Sequence, residues 1–200
     1  MTLSRRRLPH ISATNRAVFL TWRLHDSLPA NRAFPPGSLT SGQAFAAMDR
    51  LLDNLGSGPT YLRQPHIADM LVEAIQYNAE TLRQYVLHAF VVMPNHVHVL
   101  ITPVVPLPKL TKSLKGITAK RANAVLGLMG IPFWQDETYD HVVRDGQEFE
   151  RIRNYIEDNP VRARLVKDAS AFRWSSAGRA TGGSPADQGV CPSLAVGDPV

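Results

Sequence analysis

One ten-residue segment limits the possible folds of this chain more than any other: Met93-Pro94-Asn95-His96-Val97-His98-Val99-Leu100-Ile101-Thr102. Val97, Val99 and Ile101 alternate with His96, His98 and Leu100, as in a β-strand whose successive side chains point to opposite faces. The two histidines therefore share one face, about 6–7 Å apart at their Cα atoms. Because neutral imidazole is a common metal ligand, the pair could bind one cation. It fits equally well two half-exposed polar positions, so other residues must decide.

Composition and charge narrow the class of protein. The 200 residues suggest one domain with an appendage, and a hydrophobic fraction of 44% is enough for a real core. The net charge of +5 favours an anionic partner, nucleic acid first. The single cysteine, Cys191, excludes a disulfide framework or a cysteine zinc cluster. No signal-like or membrane-length apolar run is present, so we expect a soluble cytoplasmic protein.

Periodicity of the apolar residues predicts an α+β fold. Strands are expected at 17–24, 86–92, 96–102 and 139–144, the middle two forming a hairpin through Pro94-Asn95. Helices are expected at 43–55, 66–77, 110–128 and 147–158. Pro160 should stop the last helix and push Asn159 out of helical geometry. We expect the helices to pack on one face of an antiparallel sheet, with the other face free to carry a site.

The remaining segments define the expected domain boundaries. Residues 1–15 are polar and basic and should form an N-terminal arm, and residues 16–176 should form the folded domain. The proline- and glycine-rich segment from Pro29 to Gly42 is expected to be a loop. Residues 177–200 are rich in Gly, Pro, Ser and Ala, which predicts a disordered tail.

Two helical features could contribute chemistry. Basic residues along the helix at 110–128 form either a solvated outer face or a surface that follows phosphates. Tyr155 and Asn159 lie one helical turn apart, so both side chains can face the same point. Taken alone, Tyr155 is most simply a core residue on the apolar stripe of its helix, and Asn159 a cap before Pro160.

Combined with His96 and His98, these two residues acquire a chemical meaning. Two imidazole nitrogens and one amide oxygen can bind a divalent cation and leave positions open for a phosphate oxygen and water. The cation would stabilise negative charge on a scissile phosphate. A tyrosine hydroxyl, with an ordinary pKa of about 10, attacks phosphorus once it is deprotonated or bonded to a base.

Longer motifs carry a resemblance to a known family. Pro94-Asn95-His96-Val97-His98 matches a histidine–hydrophobic–histidine (HUH) motif, and Tyr155-Ile156-Glu157-Asp158-Asn159-Pro160-Val161-Arg162-Ala163 resembles a tyrosine motif. Further colinear matches lie at 58–62, 113–116, 132–135, 139–141 with Arg144, and 174–176. Over about residues 15–177 the sequence resembles the REP-associated tyrosine transposases of the HUH single-tyrosine superfamily.

The resemblance implies a ferredoxin-like α+β domain, dependence on Mg²⁺ or Mn²⁺, and a 5′-phosphotyrosine intermediate on single-stranded DNA. His96 and His98 would be metal ligands and Tyr155 the nucleophile. Asn159 would replace the glutamine ligand of related insertion-sequence transposases, with a shorter reach. The implied partners are hairpins of repetitive extragenic palindromes in a bacterial nucleoid, and the resemblance favours a monomer while a dimer stays open. The DNA-binding residues would be Lys112, Lys115, Lys120, Arg121 and Arg162.

Other functions stay open at this point. A metal-dependent phosphodiesterase could use water as its nucleophile, with Tyr155 only structural. A hairpin-DNA-binding protein could have lost cleavage, although its His96, His98 and Tyr155 would then be free to drift. A plain α+β domain with a basic surface would leave the colinear motifs unexplained. A covalent protein–DNA adduct distinguishes the transposase chemistry from the first two.

Overall fold

The computed structural model describes residues 16–28, 41–53 and 58–177. The predicted arm at 1–15 and the tail from 178 onward lie outside the described residues, as do residues 29–40 of the predicted loop. The last two residues of that loop, 41 and 42, are helical, so the loop prediction is wrong there. No helix in the described part of the chain is long and apolar enough to cross a membrane.

A four-stranded antiparallel sheet forms the centre of the domain. Its strands are β1 (Val18–Arg23), β2 (Tyr85–Val92), β3 (His96–Pro103) and β4 (Tyr139–Val142), in the spatial order β2-β3-β1-β4. The predicted hairpin is present, and Met93 N–H donates to the His96 carbonyl at 2.9 Å across its turn. All pairs are antiparallel and the order is that of a ferredoxin-like sheet, so the predicted α+β class is confirmed.

All four predicted helices are present with shifted ends. They are α1 (Ser41–Asp53), α2 (Pro65–Glu80), α3 (Leu107–Leu126) and α4 (Gly146–Arg162). Helices α2 and α3 begin earlier than predicted, and each has a proline in its first turn. A proline is tolerated there because the first N–H groups of a helix have no partner within the helix.

Helices cover both faces of the sheet, which corrects the expectation that they pack on one face only. Helices α2 and α3 cover the face that carries Val97 and Val99. Helices α1 and α4 cover the opposite face, where Phe19 and Leu100 are buried. That face is largely apolar between its few polar residues, so leaving it in water would be unfavourable.

Helix α4 continues through Pro160, contrary to the prediction that it ends before the proline. Pro160 lies in the last turn, so its missing N–H affects only one helical hydrogen bond. Ala163 N–H donates to the Asn159 carbonyl and Leu165 N–H to the Pro160 carbonyl, both at 2.9 Å. Asn159 therefore keeps helical geometry and is buried inside the helix, where it does not act as a cap.

A polar cluster fixes the start of α4 to β4. Asp145 caps the helix by accepting from Glu148 N–H at 2.7 Å. The buried Glu148 carboxylate accepts from the Arg144 guanidinium at 2.8 Å and lies 3.2 Å from His141 Nε2. Hydrogen bonds from Arg144, opposed by burial and aided by His141, lower the pKa of Glu148 to about 2.

Replacement of Glu148 by Gln should therefore lower the free energy of unfolding at neutral pH by about 2 kcal/mol, because charge-assisted hydrogen bonds are lost. The folded-state pKa of Glu148 lies below its ordinary value of 4.5, so this contribution is complete above that value and is lost as the pH falls toward about 2. Urea denaturation of Glu148→Gln at several pH values measures the effect. The exposed Glu150→Gln is the matched control, and a wild-type–variant difference that does not shrink in acid would contradict the assignment.

Candidate metal centre and tyrosine site

His96 and His98 lie side by side on the face of β3 that α1 and α4 cover. Both side chains are completely buried, and their Nε2 atoms are 3.0 Å apart. Strand β3 is paired on both sides, by β1 and β2, so its backbone is held rigidly. The alternation read from the sequence thus places both imidazoles on one face, as predicted.

Asn95 fixes the orientation of the His96 ring. Its amide nitrogen donates to the Leu52 carbonyl at 3.0 Å, so its oxygen is the atom that faces His96 Nδ1, at 2.7 Å. Nδ1 must therefore carry the proton, and Nε2 presents its lone pair to the site. Burial, together with the adjacent His98, lowers the pKa of His96 to about 3, so the ring is neutral near pH 7.

Thr21 fixes the second ring in a similar way. It lies on β1 directly opposite His98, and its hydroxyl oxygen is 2.7 Å from His98 Nδ1. With Nδ1 engaged, Nε2 of His98 also points to the centre of the site. Partners of this kind orient imidazole ligands and keep them in place for a metal.

Asp49 of helix α1 completes the group, and it was not predicted from the sequence. Its Oδ1 lies 3.1 Å from His98 Nε2 and 3.6 Å from His96 Nε2. Potential ligand atoms of the three residues all lie within 4.8 Å of one another. One signal could have identified it, because Asp49 falls at i+4 from Phe45 on the side of the helix where Phe45 and Leu52 are buried.

The electrostatics of Asp49 keep it ionised. Burial on its own would raise the pKa of this carboxyl, but the charge and hydrogen bonding of His98, followed by His96, lower it overall. Its Oδ1 faces the Nε2 atoms of both histidines. Two imidazole nitrogens and a carboxylate oxygen that converge in this way fit a divalent cation.

Tyr155 approaches the same carboxylate from helix α4. Its hydroxyl donates a hydrogen bond to Asp49 Oδ2, and its ring centroid is 5.8 Å from that of His98. The guanidinium of Arg162 lies 4.8 Å from the centroid of the Tyr155 ring. The structure therefore brings the predicted nucleophile to the histidine pair through Asp49.

Asn159 lies one turn further along α4 and is fully buried. Its amide is near enough to Asp49 to help lower the pKa of that carboxyl. Neither polar atom of its side chain makes a hydrogen bond of ordinary geometry to another described residue. Asn159 is thus in the site, with its amide available to a further group.

The predicted DNA-binding residues are divided between two places. Those of α3 lie on a helix that packs on the face opposite the histidines, whereas exposed Arg162 is beside Tyr155. Lys115 bonds to the carbonyls of Gln135 at 2.7 Å and Asp136 at 2.9 Å, so it holds a loop. The other predicted residues of α3, all exposed, are Lys112, Lys120 and Arg121, of which Arg121 lies 3.8 Å from Glu73.

Comparison with known proteins identifies the family. The family model described as IS200-like transposase matches residues 60–159, half of the chain. The chain therefore belongs to the IS200-like transposase family, which confirms the recognition of a transposase. His96, His98, Tyr155 and Asn159 lie inside the matched segment, and Asp49 lies outside it.

One of two similar solved structures supports the fold. A structure described as a REP-associated tyrosine transposase bound to a REP hairpin is 20% identical, covers 88% of this chain and 84% of that chain, and has a TM-score of 0.55. A candidate transposase of Deinococcus radiodurans R1 is 21% identical over 80% of this chain and 98% of that chain, with a TM-score of 0.39. No curated protein matches the sequence.

The role assigned to Thr21 leads to a prediction. Thr21→Val keeps the shape of the side chain but removes the partner of His98 Nδ1, so Mn²⁺ should bind about 10-fold to 100-fold more weakly. Isothermal titration calorimetry measures this affinity. Thr102→Val is the matched control, because Thr102 makes an equivalent contact with His88 at 2.8 Å outside the site. Equal Mn²⁺ affinity in wild type and Thr21→Val would exclude the orienting role.

Proposed function

We propose that this protein is a metal-dependent single-strand DNA endonuclease and transposase that cleaves and rejoins hairpin-forming DNA through a 5′-phosphotyrosine intermediate. One observation carries the proposal: the Tyr155 hydroxyl and the His96 and His98 imidazoles converge on a single buried carboxylate. Membership of the IS200-like transposase family supplies the DNA-cleaving context.

The residues around the carboxylate have separate roles in this proposal. His96 and His98 hold the cation, with the Asn159 amide as a further ligand. The cation, Mg²⁺ or Mn²⁺, stabilises negative charge on the scissile phosphate when it is bound. Neutral imidazoles are suited to binding the cation because each presents a lone pair from Nε2.

The covalent step uses Tyr155 as the nucleophile. Its phenolic oxygen forms a bond to phosphorus as the bond from phosphorus to the 3′ oxygen breaks, which leaves one DNA product on the enzyme and the other with a free 3′-OH. The Asp49 carboxylate, already bonded to the hydroxyl, accepts the tyrosine proton, and the leaving 3′ oxygen takes a proton from solvent. The phosphotyrosine ester keeps a reactive phosphorus bond, so a 3′-OH can attack it and rejoin the strands.

The proposed substrate is hairpin DNA with a single-stranded segment, such as a repetitive extragenic palindrome. The likeness in fold to a transposase described as bound to a REP hairpin supports this choice. The exposure of Arg162 beside the Tyr155 ring supports a contact between its guanidinium and a phosphate near the cut. Lys112, Lys120 and Arg121 would contact a more distant part of the DNA, because α3 lies on the other face of the sheet.

Tyr155→Phe should abolish cleavage while hairpin binding remains. The ring keeps its packing, so the cost to stability should be about 2 kcal/mol for the lost hydrogen bond to an ionised carboxylate. A denaturing gel with mass spectrometry of the covalent adduct, after incubation with single-stranded hairpins and Mn²⁺, checks both points.

Tyr139→Phe is the matched control, because Tyr139 stacks on Phe45 at 4.4 Å on the same face of the sheet. This variant should still cut. Cleavage by Tyr155→Phe at the wild-type rate, or DNA attached to Tyr139, would show that Tyr155 is not the nucleophile. Cleavage without any adduct in the wild type would favour the water-using phosphodiesterase.

The exposed lysines of α3 give a separate prediction about affinity. Replacing Lys112 and Lys120 by Gln should weaken hairpin binding and reduce the slope of log K against log salt by about 0.7 for each lost phosphate contact. Mn²⁺ binding should be unchanged, because α3 is on the opposite face from the histidines. Fluorescence anisotropy over a salt series measures the slope, and an unchanged slope would remove α3 from the DNA-binding surface.

A further inference from the structure

We infer that Asp49 is a protein ligand of the cation, a carboxylate that helix α1 contributes from outside the segment matching the family. The inference rests on the proposed function, because it concerns the same metal site. It adds a ligand that neither the HUH motif nor the tyrosine motif contains.

The position of Asp49 supports this role. The residue is only 3% exposed, and its Oδ1 lies within 3.6 Å of the Nε2 atoms of both histidines. Oδ1 and the two Nε2 atoms thus lie 3.0–3.6 Å from one another. Three potential ligand atoms that face one another at these distances can bind one cation, and its positive charge would stabilise the buried carboxylate.

The chemistry of the ligands points to the same conclusion. His96 and His98 are both buried, and imidazole ligands are neutral, so they cannot balance the charge of a divalent cation away from water. Asp49 brings a negative charge into that group. A carboxylate oxygen is also the ligand that Mg²⁺ and Mn²⁺ favour over imidazole.

Helix α1 is fixed against the site, so the carboxylate is held in place. Leu52 accepts the hydrogen bond from the Asn95 amide, which joins α1 to the residue before His96. Phe45 stacks on Tyr139 of β4. The other oxygen of Asp49 accepts from Tyr155, so one carboxylate would connect the cation to the proposed nucleophile.

Calorimetric titration of the full chain with Mn²⁺ tests the inference without relying on activity. Asp49→Asn and His96→Ala should each bind Mn²⁺ at least about 10-fold more weakly than wild type. Replacing even a residue that only supports a metal ligand typically weakens metal binding by that factor. Asp53→Asn is the matched control, because it removes a carboxyl group one turn later on α1 that interacts electrostatically with Asp49 and His98 but is outside the group of potential ligands. It should change the affinity by less than about threefold.

A second substitution changes metal preference and does not depend on loss of binding. Asp49→Cys should weaken Mn²⁺ binding and strengthen Cd²⁺ binding, because thiolate is a soft ligand. Asp53→Cys should leave the ratio of the Cd²⁺ and Mn²⁺ affinities at the wild-type value. Since the native Cys191 is present in both variants, this comparison also controls for Cd²⁺ binding by Cys191. A residue with only a structural role would not reverse the preference.

The outcomes separate the two proposals. If His96→Ala weakens Mn²⁺ binding but Asp49→Asn binds like wild type, Asp49 is not a ligand and the metal site stands. If Asp49→Asn unfolds, an unchanged Cd²⁺ to Mn²⁺ preference in folded Asp49→Cys overturns the inference in the same way. If wild type does not bind Mn²⁺, or His96→Ala has no effect, the metal site of the proposed function fails and the inference fails with it.

Discussion

The side of the domain that carries the two histidines depends on the interactions that stabilise the buried carboxylate of Asp49. An ionised carboxylate away from water is strongly unfavourable unless charges or hydrogen bonds compensate it. Here Tyr155 donates to one oxygen and the two histidines lie against the other. Asp49 belongs to α1, the two histidines to β3 and Tyr155 to α4, so the carboxylate specifies how these three elements meet.

The sheet supplies the rigidity that this arrangement requires. Strand β3 lies inside the sheet, and its neighbour β1 places Thr21 opposite His98. Asn95, in the hairpin turn, holds His96 on one side and α1 on the other. The orientation of the His98 ring therefore follows from strand pairing, and that of the His96 ring follows from the turn together with the α1 carbonyl that fixes the Asn95 amide.

Much of this architecture could be predicted from the sequence, because local patterns encode it. The alternation around His96 and His98 predicts the strand and the shared face, and Pro94-Asn95 predicts the hairpin. Asp49 could not be predicted in the same way, because its partners are more than forty residues away and no local pattern records a tertiary contact. The predicted end of α4 is wrong for another reason. A residue before proline prefers extended geometry, but here the backbone hydrogen bonds to the carbonyls of Asn159 and Pro160 outweigh that preference.

Helix α4 explains how a tyrosine on an apolar stripe can also reach the site. Glu148, Tyr155 and Asn159 are spaced by seven and four residues, so they lie along one side of the helix. At its start that side is tied to β4 through Glu148 and His141, and near its end it faces Asp49. Because the helix continues through Pro160, Asn159 lies in the same regular helix as Tyr155. The same helix side that anchors the domain thus presents the proposed nucleophile, and the position of Tyr155 follows from contacts made two turns away.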